Sequence, residues 1–193
     1  MVVKRAYHHG DLRRALVLAA REVLVERGPE GVSLRGAVAK VGASTAAPYR
    51  HFRDKDALLV AVALEGHAEL QGVLRGCGAG TVTALGHSYI GFALGNPALY
   101  RLMLGAGIGD RAAYPELVEA HRETCAVLAD GVRDQRLAGH DPGGFAVTLW
   151  CLLHGLATLV IDGHVEPGSA VAEAERSLAF LVGGADVKAS FTE

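Results

Sequence analysis

Small, hydroxyl-bearing and cationic side chains are concentrated between residues 33 and 59, in the sequence SLRGAVAKVGASTAAPYRHFRDKDALL. Ser44, Thr45 and Ala47 fall in the first turn of a helix predicted over residues 44–52. Small side chains in the first turn of such a helix let its backbone approach base edges in the major groove of DNA. The Thr45 hydroxyl can hydrogen-bond a base, and its methyl can touch a thymine methyl. We therefore predict that these three residues face the bases.

Cationic and phenolic side chains follow directly, and they suit the phosphate oxygens of the same duplex. Phosphate contacts fix the register of a protein on DNA but carry no sequence information. The start of the preceding helix, at Ser33, adds backbone N–H groups that bind anions. Arg53 lies in the same cluster. The remaining predicted DNA-binding residues are Ser33, Arg35, Tyr49, Arg50, His51 and Lys55.

Two short helices and a turn must position these side chains. The sequence predicts a helix over residues 33–41, a turn at Gly42, and a second helix over residues 44–52. Pro48 lies early in that second helix, where the loss of its N–H costs little. A longer helix follows over residues 54–75 and links this block to the rest of the chain.

The whole chain has the pattern of an all-α protein of about nine helices. A first helix is predicted with Asp11 as its N-cap and Gly28-Pro29 as its stop. Helical spacing and glycine- or proline-containing separators predict further helices over residues 81–95, 97–104, 114–135, 145–162 and 169–181. We predict a three-helix helix-turn-helix domain over residues 1–60, which binds DNA, and a helical C-terminal domain over residues 61–193.

The charge is unequally distributed between these two parts. Residues 1–60 hold eleven Lys/Arg and six Asp/Glu, a net charge of +5. Residues 61–193 hold eight and fifteen, a net charge of −7. A basic head on an acidic body is expected when only the head meets a polyanion, so the predicted partner is double-stranded DNA.

The remaining composition predicts a cytoplasmic protein that does not enter a membrane. The three cysteines contain no CxxC pair and indicate reduced thiols. The chain begins without the apolar region of a secretion signal. Its apolar stretches are interrupted by glycine or charge before the length of about 20 residues that a membrane span needs.

No motif for catalysis, a cofactor or a metal is complete. The segment GHSYI at residues 86–90 misses a serine-hydrolase elbow, because Ile90 replaces the second glycine and no sheet is predicted. The nine histidines lack HExxH or zinc-finger spacing. We predict no enzyme activity, no cofactor and no metal. Two alternatives remain: a small-molecule-binding protein or enzyme that retains a helix-turn-helix head, and a dimeric module whose head docks a protein.

These motifs resemble the signature of the TetR/AcrR family of bacterial transcriptional regulators. That signature is a capped helix, a glycine-containing turn, a Tyr-x-x-Phe helix and a lysine-containing helix. The matching segments are SLR at 33–35, VAKVGAS at 38–44, YRHF at 49–52 and KDALL at 55–59. In the body, Trp150, His154 and Gly155 are similar to the Trp-x-x-x-His-Gly motif of the regulatory domain in one branch of the family.

The resemblance implies a homodimer that binds a palindromic operator and releases it when a small apolar ligand enters the body. It implies that the last two helices form a four-helix bundle with those of the partner. The candidate interface residues are Leu149, Leu153, Leu156, Val160, Leu178 and Leu181, with ordinary intrachain core as the alternative.

The effector itself is not identified by the sequence, but its cavity is expected among the middle helices. Aromatic and Met residues with a few polar groups form a reasonable lining for an apolar molecule. Each candidate could equally be plain core, since apolar helix faces normally pack. The candidates are Phe92, Tyr100, Met103, Leu104, Tyr114, Trp150 and His154.

Overall fold

The computed structural model describes residues 9–44, 46, 48–77, 81–104, 107–133 and 142–183. Within these ranges the chain forms eight α-helices and no strand, so the predicted all-α class is confirmed. The helices are α1 His9–Gly31, α2 Leu34–Val41, α3 Lys55–Gly76, α4 Val82–Gly95, α5 Pro97–Leu104, α6 Pro115–Arg133, α7 Pro142–Ile161 and α8 Pro167–Gly183. Single 3-10 turns occupy Pro48–Arg50 and Arg111–Ala113.

The helices predicted beyond residue 80 are confirmed with small shifts at their ends. α5 has the predicted bounds, and the others differ by one to three residues. α4 begins after Thr81 because that residue is its N-cap, and the Thr81 hydroxyl accepts a hydrogen bond from the Ala84 N–H at 3.2 Å. Such a cap satisfies one of the N–H groups that a helix start leaves without a partner.

The first helix differs from its prediction at its start and agrees with it at Gly28. α1 begins at His9, so Asp11 lies inside it and the predicted N-cap is wrong. Gly28-Pro29 ends the regular first helix as predicted, because Gly28 has a non-helical backbone with φ 70° and ψ 178°, and a short helical segment then continues as far as Gly31. A glycine adopts this positive φ without the steric cost that other residues incur, and proline suits the first turn of the segment that follows.

The prediction of a helix over residues 44–52 is wrong. Among the described residues of this segment, only the turn Pro48–Arg50 is helical, which leaves eight α-helices instead of about nine. Pro48 is the fourth residue after the predicted cap, Ser44, so its N–H would make the first internal bond of an α-helix. Proline lacks that N–H and disfavours the α conformation in the residue before it.

The described chain divides into two compact units. Unit 1 consists of Met1–His67 and Ala98–His121, and unit 2 consists of Ala68–Pro97 and Arg122–Glu193. α3 and α6 each run from one unit into the other. The sequence-based division at residue 60 stays a prediction.

In unit 1, α2 packs against α1 over an apolar core. Lys40 near the end of α2 also forms ion pairs with Glu22 at 2.7 Å and Glu26 at 3.5 Å on α1. Exposed ion pairs contribute little to stability, so the apolar contacts hold the two helices together. The buried residues of this core include Leu16, Leu24, Val38, Phe52 and Leu58.

A buried histidine lies where α3 meets α5 in unit 1. The helices approach closely at Gly66, where a side chain would collide with Met103. The next residue, His67, is fully buried, and its ring meets the His121 ring edge-on at 5.9 Å between centroids. Burial, and secondly the charge of His121, lower the pKa of His67 to about 4. His67 is therefore neutral at pH 7.

In unit 2, α4, α7 and α8 pack on one another. α4 comes so near α8 at Gly86 that an added Cβ would collide with Leu178 Cδ1. Leu149, Leu153 and Val160 of α7 are buried within the single chain, as is Leu178. The prediction that these four residues form a dimer interface is therefore wrong, because they belong to the intrachain core.

In the part of the chain that the structure describes, two helices are long and apolar enough to cross a membrane by length and composition alone, Lys55–Gly76 and Gly143–Ile161. The expectation that apolar stretches end well short of a span does not hold for them by this criterion. The most apolar window of the first helix is 61% buried, and that of the second is 39% buried. Core helices of soluble proteins pass the same test, so the finding is weak evidence for a membrane.

The glycines of α4 predict opposite effects of the same substitution. A methyl group at Gly86 meets Leu178 and Leu153, whereas one at Gly91 meets nothing within 4 Å. Gly91→Ala should raise the free energy of unfolding by roughly 0.5–1 kcal/mol through helix propensity. Gly86→Ala should lower it by about 1 kcal/mol through overpacking. Urea denaturation measures both, and equal effects of the two substitutions would contradict the close approach of α4 and α8.

The lowered pKa of His67 predicts stability that depends on pH. An unfolded histidine has a pKa of about 6.5. Between pH 6.5 and 4 the unfolded chain therefore binds more protons at this site, and stability falls as the pH is lowered. The loss attributable to His67 should reach about 3 kcal/mol at pH 4. Urea denaturation from pH 7 to 4 should show that the free energy of unfolding falls less in His67→Leu than in the wild type. The exposed control His164→Gln should show the wild-type fall. A fall in His67→Leu as large as that of the wild type would refute the assignment.

Candidate nucleic-acid interface

The start and end of α2 are both capped as the sequence predicts. Ser33 has an extended backbone, and its hydroxyl accepts a hydrogen bond from the Gly36 N–H at 3.0 Å. Gly42 ends the helix with φ 73°, and its N–H donates to the Val38 carbonyl at 2.9 Å. Arg35, in the first turn, is exposed. The helix start thus offers N–H groups and a cation to an anion outside the protein.

A turn at Pro48 replaces the predicted helix, and it still exposes two of the predicted phosphate-binding side chains. The Pro48 carbonyl accepts hydrogen bonds from both the His51 and Phe52 N–H groups, each at 2.9 Å. Pro48 and Phe52 are buried, and the two residues between Pro48 and His51 are exposed. These are Tyr49, which is 56% exposed, and Arg50. His51 is half-buried.

The predicted base-facing residues are only partly described. Ser44 is exposed, whereas Thr45 and Ala47 lie outside the described residues. Their contact with base edges stays a prediction.

The carboxylate of Asp54 organises the start of α3. Its Oδ1 accepts a hydrogen bond from the Ala57 N–H at 2.7 Å, so Asp54 is the N-cap of α3. Its Oδ2 accepts a hydrogen bond from Arg53 Nε at 3.1 Å. A charged cap at a helix start interacts favourably with the helix dipole.

Lys55, a predicted phosphate-binding residue, also makes a contact within the protein. Its Nζ donates to the Glu30 carbonyl, just after the kink of α1, at 3.4 Å, and the residue is half-buried. The long hydrogen bond leaves the ammonium group two further N–H groups for a phosphate.

Tyr114, one of the predicted ligand-cavity residues, contacts this cluster. It is buried, and its hydroxyl donates to Asp54 Oδ1 at 3.4 Å. The guanidinium carbon of Arg53 lies 4.9 Å from the centroid of its ring, within the range of a cation–π contact. Tyr114, and then Asp54, raise the pKa of Arg53. Sequence reasoning missed this group because nothing local indicates a contact across 60 residues.

The other ligand candidates are distributed over both units. Tyr100 and Met103 are buried in unit 1, where Leu104 is half-buried. In unit 2, Phe92 is buried, and the Trp150 and His154 rings stack with centroids 5.5 Å apart and planes at 8°. Burial lowers the pKa of His154.

Two cavities are described, and neither is lined by the candidate residues. A cavity of about 300 Å³ in unit 1 is lined by Gly28, Pro29, Glu30, Ala98, Arg101, Leu102 and Gly107. A second, of about 350 Å³ in unit 2, is lined by Thr148, Leu152, Arg176, Ser177 and Phe180. The ligand-binding role of the seven candidates therefore stays a prediction. Among the described residues, no group of three or more His, Cys, Asp or Glu side chains could hold a metal ion.

Taken together, the exposed groups of this surface suit phosphate oxygens. Arg50 and Arg53 present guanidinium groups, which bind phosphate through several N–H donors in one plane. Tyr49 adds a phenol, and the start of α2 adds backbone N–H groups. The surface can thus bind the phosphate backbone of a nucleic acid through these hydrogen-bond donors and positive charges.

Comparison with known families places matches over both parts of the chain. Residues 16–62 match the family described as "Bacterial regulatory proteins, tetR family". Residues 82–184, more than half of the chain, match the family described as "Tetracyclin repressor-like, C-terminal domain".

Solved structures with the same fold agree with these matches. A protein of unknown function from Rhodococcus sp. RHA1 is 28% identical, with a TM-score of 0.78 over 94% of this chain and 98% of that one. A regulator of the TetR/AcrR family from Thermobifida fusca YX-ER1 is 21% identical, with a TM-score of 0.66 over 91% and 98%. The fatty acid degradation regulator FadR from Bacillus halodurans is 14% identical, with a TM-score of 0.72 over 93% and 99%.

Proposed function

The chain belongs to the TetR/AcrR family of bacterial transcriptional regulators, and from that premise we propose that it is a homodimeric repressor. It binds a palindromic operator in the cytoplasm and leaves the operator when a small apolar ligand enters its body. The observation that carries the proposed DNA-binding surface is that Tyr49 and Arg50 are exposed in the same unit as the capped start of α2.

The division of labour on DNA follows from chemistry. Ser44, Thr45 and Ala47 face base edges, where small and hydroxyl side chains allow close approach. The cations and Tyr49 hold phosphates on either side. Two copies of this surface related by two-fold symmetry would enter successive major grooves about 34–36 Å apart.

The dimer forms through the outer faces of α7 and α8. Val147 of α7 and Phe180 of α8 are 62% and 66% exposed in the single chain, and Leu159, further along α7, is 45% exposed. Phe180 also borders the 350 Å³ cavity between Thr148 and Arg176. Large apolar side chains gathered on two neighbouring helices indicate a surface that a partner covers. A second copy of the chain supplies an equally apolar surface.

The effector is a small apolar molecule bound in the body. The buried aromatic residues Phe92 and Tyr100 and the stacked pair Trp150 and His154 supply apolar surface with few polar groups. The same pair supports assignment to the branch with the Trp-x-x-x-His-Gly motif. For the effector to release the protein from the operator, it must bind more tightly to the form of the protein that has low DNA affinity.

The phosphate-binding role of Arg50 predicts a loss that depends on salt. Operator duplexes selected from a random-sequence library should bind the wild-type protein with an affinity that falls steeply with salt. Arg50→Gln should weaken binding to all of them by roughly tenfold and reduce the slope of log K against log salt by about 0.9. Fluorescence anisotropy between 50 and 300 mM salt measures both quantities.

Arg75→Gln is the matched control for this experiment. Arg75 is an exposed arginine near the end of α3 in unit 2, so the substitution removes the same charge far along the chain from the surface. Its affinity and salt slope should stay close to those of the wild type. Equal losses of DNA affinity in Arg50→Gln and Arg75→Gln would indicate a general charge effect. If the wild-type protein selected no duplex from the library, DNA binding would be refuted.

The exposed face of α7 predicts how the dimer can be broken. Val147→Glu places a charge in the proposed interface and should weaken dimerisation by roughly 100-fold or more, because an unpaired buried charge is costly. Val25→Glu is the control, since Val25 of α1 is 68% exposed and lies outside the interface. Sedimentation equilibrium should show a dimer for the wild type and the control. A dimer of unchanged strength in Val147→Glu would place the interface elsewhere.

A further inference from the structure

The segment before α6 is tied to the start of α3 within unit 1. The Tyr114 hydroxyl donates to Asp54 Oδ1 at 3.4 Å, and the Gly109 N–H donates to Asp56 Oδ2 at 3.3 Å. Two successive acidic side chains of the α3 start, on either side of Lys55, therefore hold the same segment. Tyr114 is the last residue of that segment, because α6 begins at Pro115.

The segment has its own anchors, so it can fix what it touches. The Asp110 carboxylate accepts a hydrogen bond from the Ala112 N–H at 3.1 Å and caps the 3-10 turn. Arg111 donates to the carbonyls of Leu102 and Met103 at the end of α5. A buried ring supported in this way has little freedom to move.

Arg53 is held by this ring and still reaches solvent. Its Nε bonds the Asp54 carboxylate, and its guanidinium lies over the Tyr114 ring at 4.9 Å. The side chain nevertheless remains 65% exposed. An arginine on an exposed turn normally samples many rotamers, and ordering it on binding costs conformational entropy. Here that ordering is already present in the free protein.

We propose that Tyr114 is a positioning residue for DNA binding, which holds the Arg53 guanidinium in the orientation that contacts a DNA phosphate. The inference rests on the proposed function and adds a residue outside the helix-turn-helix block to it. Arg53 makes the contact, and Tyr114 acts only through Arg53. Asp54 completes the arrangement by fixing the Nε side of the guanidinium while it caps α3.

A double-mutant cycle on DNA affinity tests this role. The variants are Tyr114→Leu, Arg53→Gln and the double variant, measured with the selected duplexes at fixed salt. Each single variant should weaken binding by roughly five- to tenfold, and the double variant should bind as the Arg53→Gln variant does, because the residues act as one unit. The salt slope should fall by about 0.9 in Arg53→Gln and stay at the wild-type value in Tyr114→Leu.

Two further variants separate positioning from structural damage. Tyr114→Phe keeps the ring and removes only the hydroxyl, so its loss should be roughly two- to threefold. Tyr89→Phe removes a hydroxyl from a buried tyrosine of unit 2 that has no proposed role in binding DNA or the effector, and it should leave DNA affinity within twofold of the wild type. If Tyr114→Leu fails to fold, Tyr114→Phe replaces it in the cycle with Arg53→Gln, and the loss caused by Tyr114→Phe should vanish in the Arg53→Gln background.

The outcomes distinguish this inference from the function on which it rests. A wild-type protein that binds no duplex overturns both. A wild-type protein that binds, with Tyr114 variants within twofold of it, overturns the positioning role alone. Additive losses in the cycle also overturn it, since Tyr114 would then act independently of Arg53.

Discussion

One carboxylate, that of Asp54, joins three parts of the chain that lie far apart in sequence or differ in structure. It accepts a hydrogen bond from the Ala57 N–H and so defines the first residue of α3. It also accepts hydrogen bonds from the Arg53 Nε and, across 60 residues, from the Tyr114 hydroxyl. The direction in which α3 begins, the orientation of Arg53 and the position of the segment before α6 therefore depend on a single side chain. A charged acceptor suits this role because hydrogen bonds to an ionised group are stronger than those between neutral groups.

Breaks in regular helix, more than the helices themselves, form the proposed DNA-binding surface. Gly28 bends α1, and the Glu30 carbonyl that follows this bend accepts a hydrogen bond from Lys55. Gly42 ends α2, and Pro48 reduces the next predicted helix to one turn. Each break is caused by a residue with unusual backbone freedom or constraint. The exposed side chains lie beside these breaks because regular helices on either side bury their apolar faces.

The sequence was sufficient where a local rule decides the structure. Periodic apolar residues and the glycine- or proline-containing separators predicted the later helices to within three residues, and the family signature identified the helix-turn-helix block. Three features were not predicted. Pro48 follows a local rule that was misapplied, because the cost of a proline depends on its distance from the cap. The partner of Tyr114 is remote in sequence, and the apolar face of Leu149 and Leu153 does not say which helix covers it, so tertiary packing decided these two.

The close approach of α4 and α8 also has an evolutionary consequence. Because Gly86 has no side chain, the end of the Leu178 side chain occupies the space that a side chain at position 86 would need. A larger residue at position 86 is tolerated only with a smaller one at position 178, and the reverse exchange is equally constrained. Relatives of this chain should therefore show correlated substitutions at these two positions, while Gly91, on the open side of the same helix, should vary independently of both.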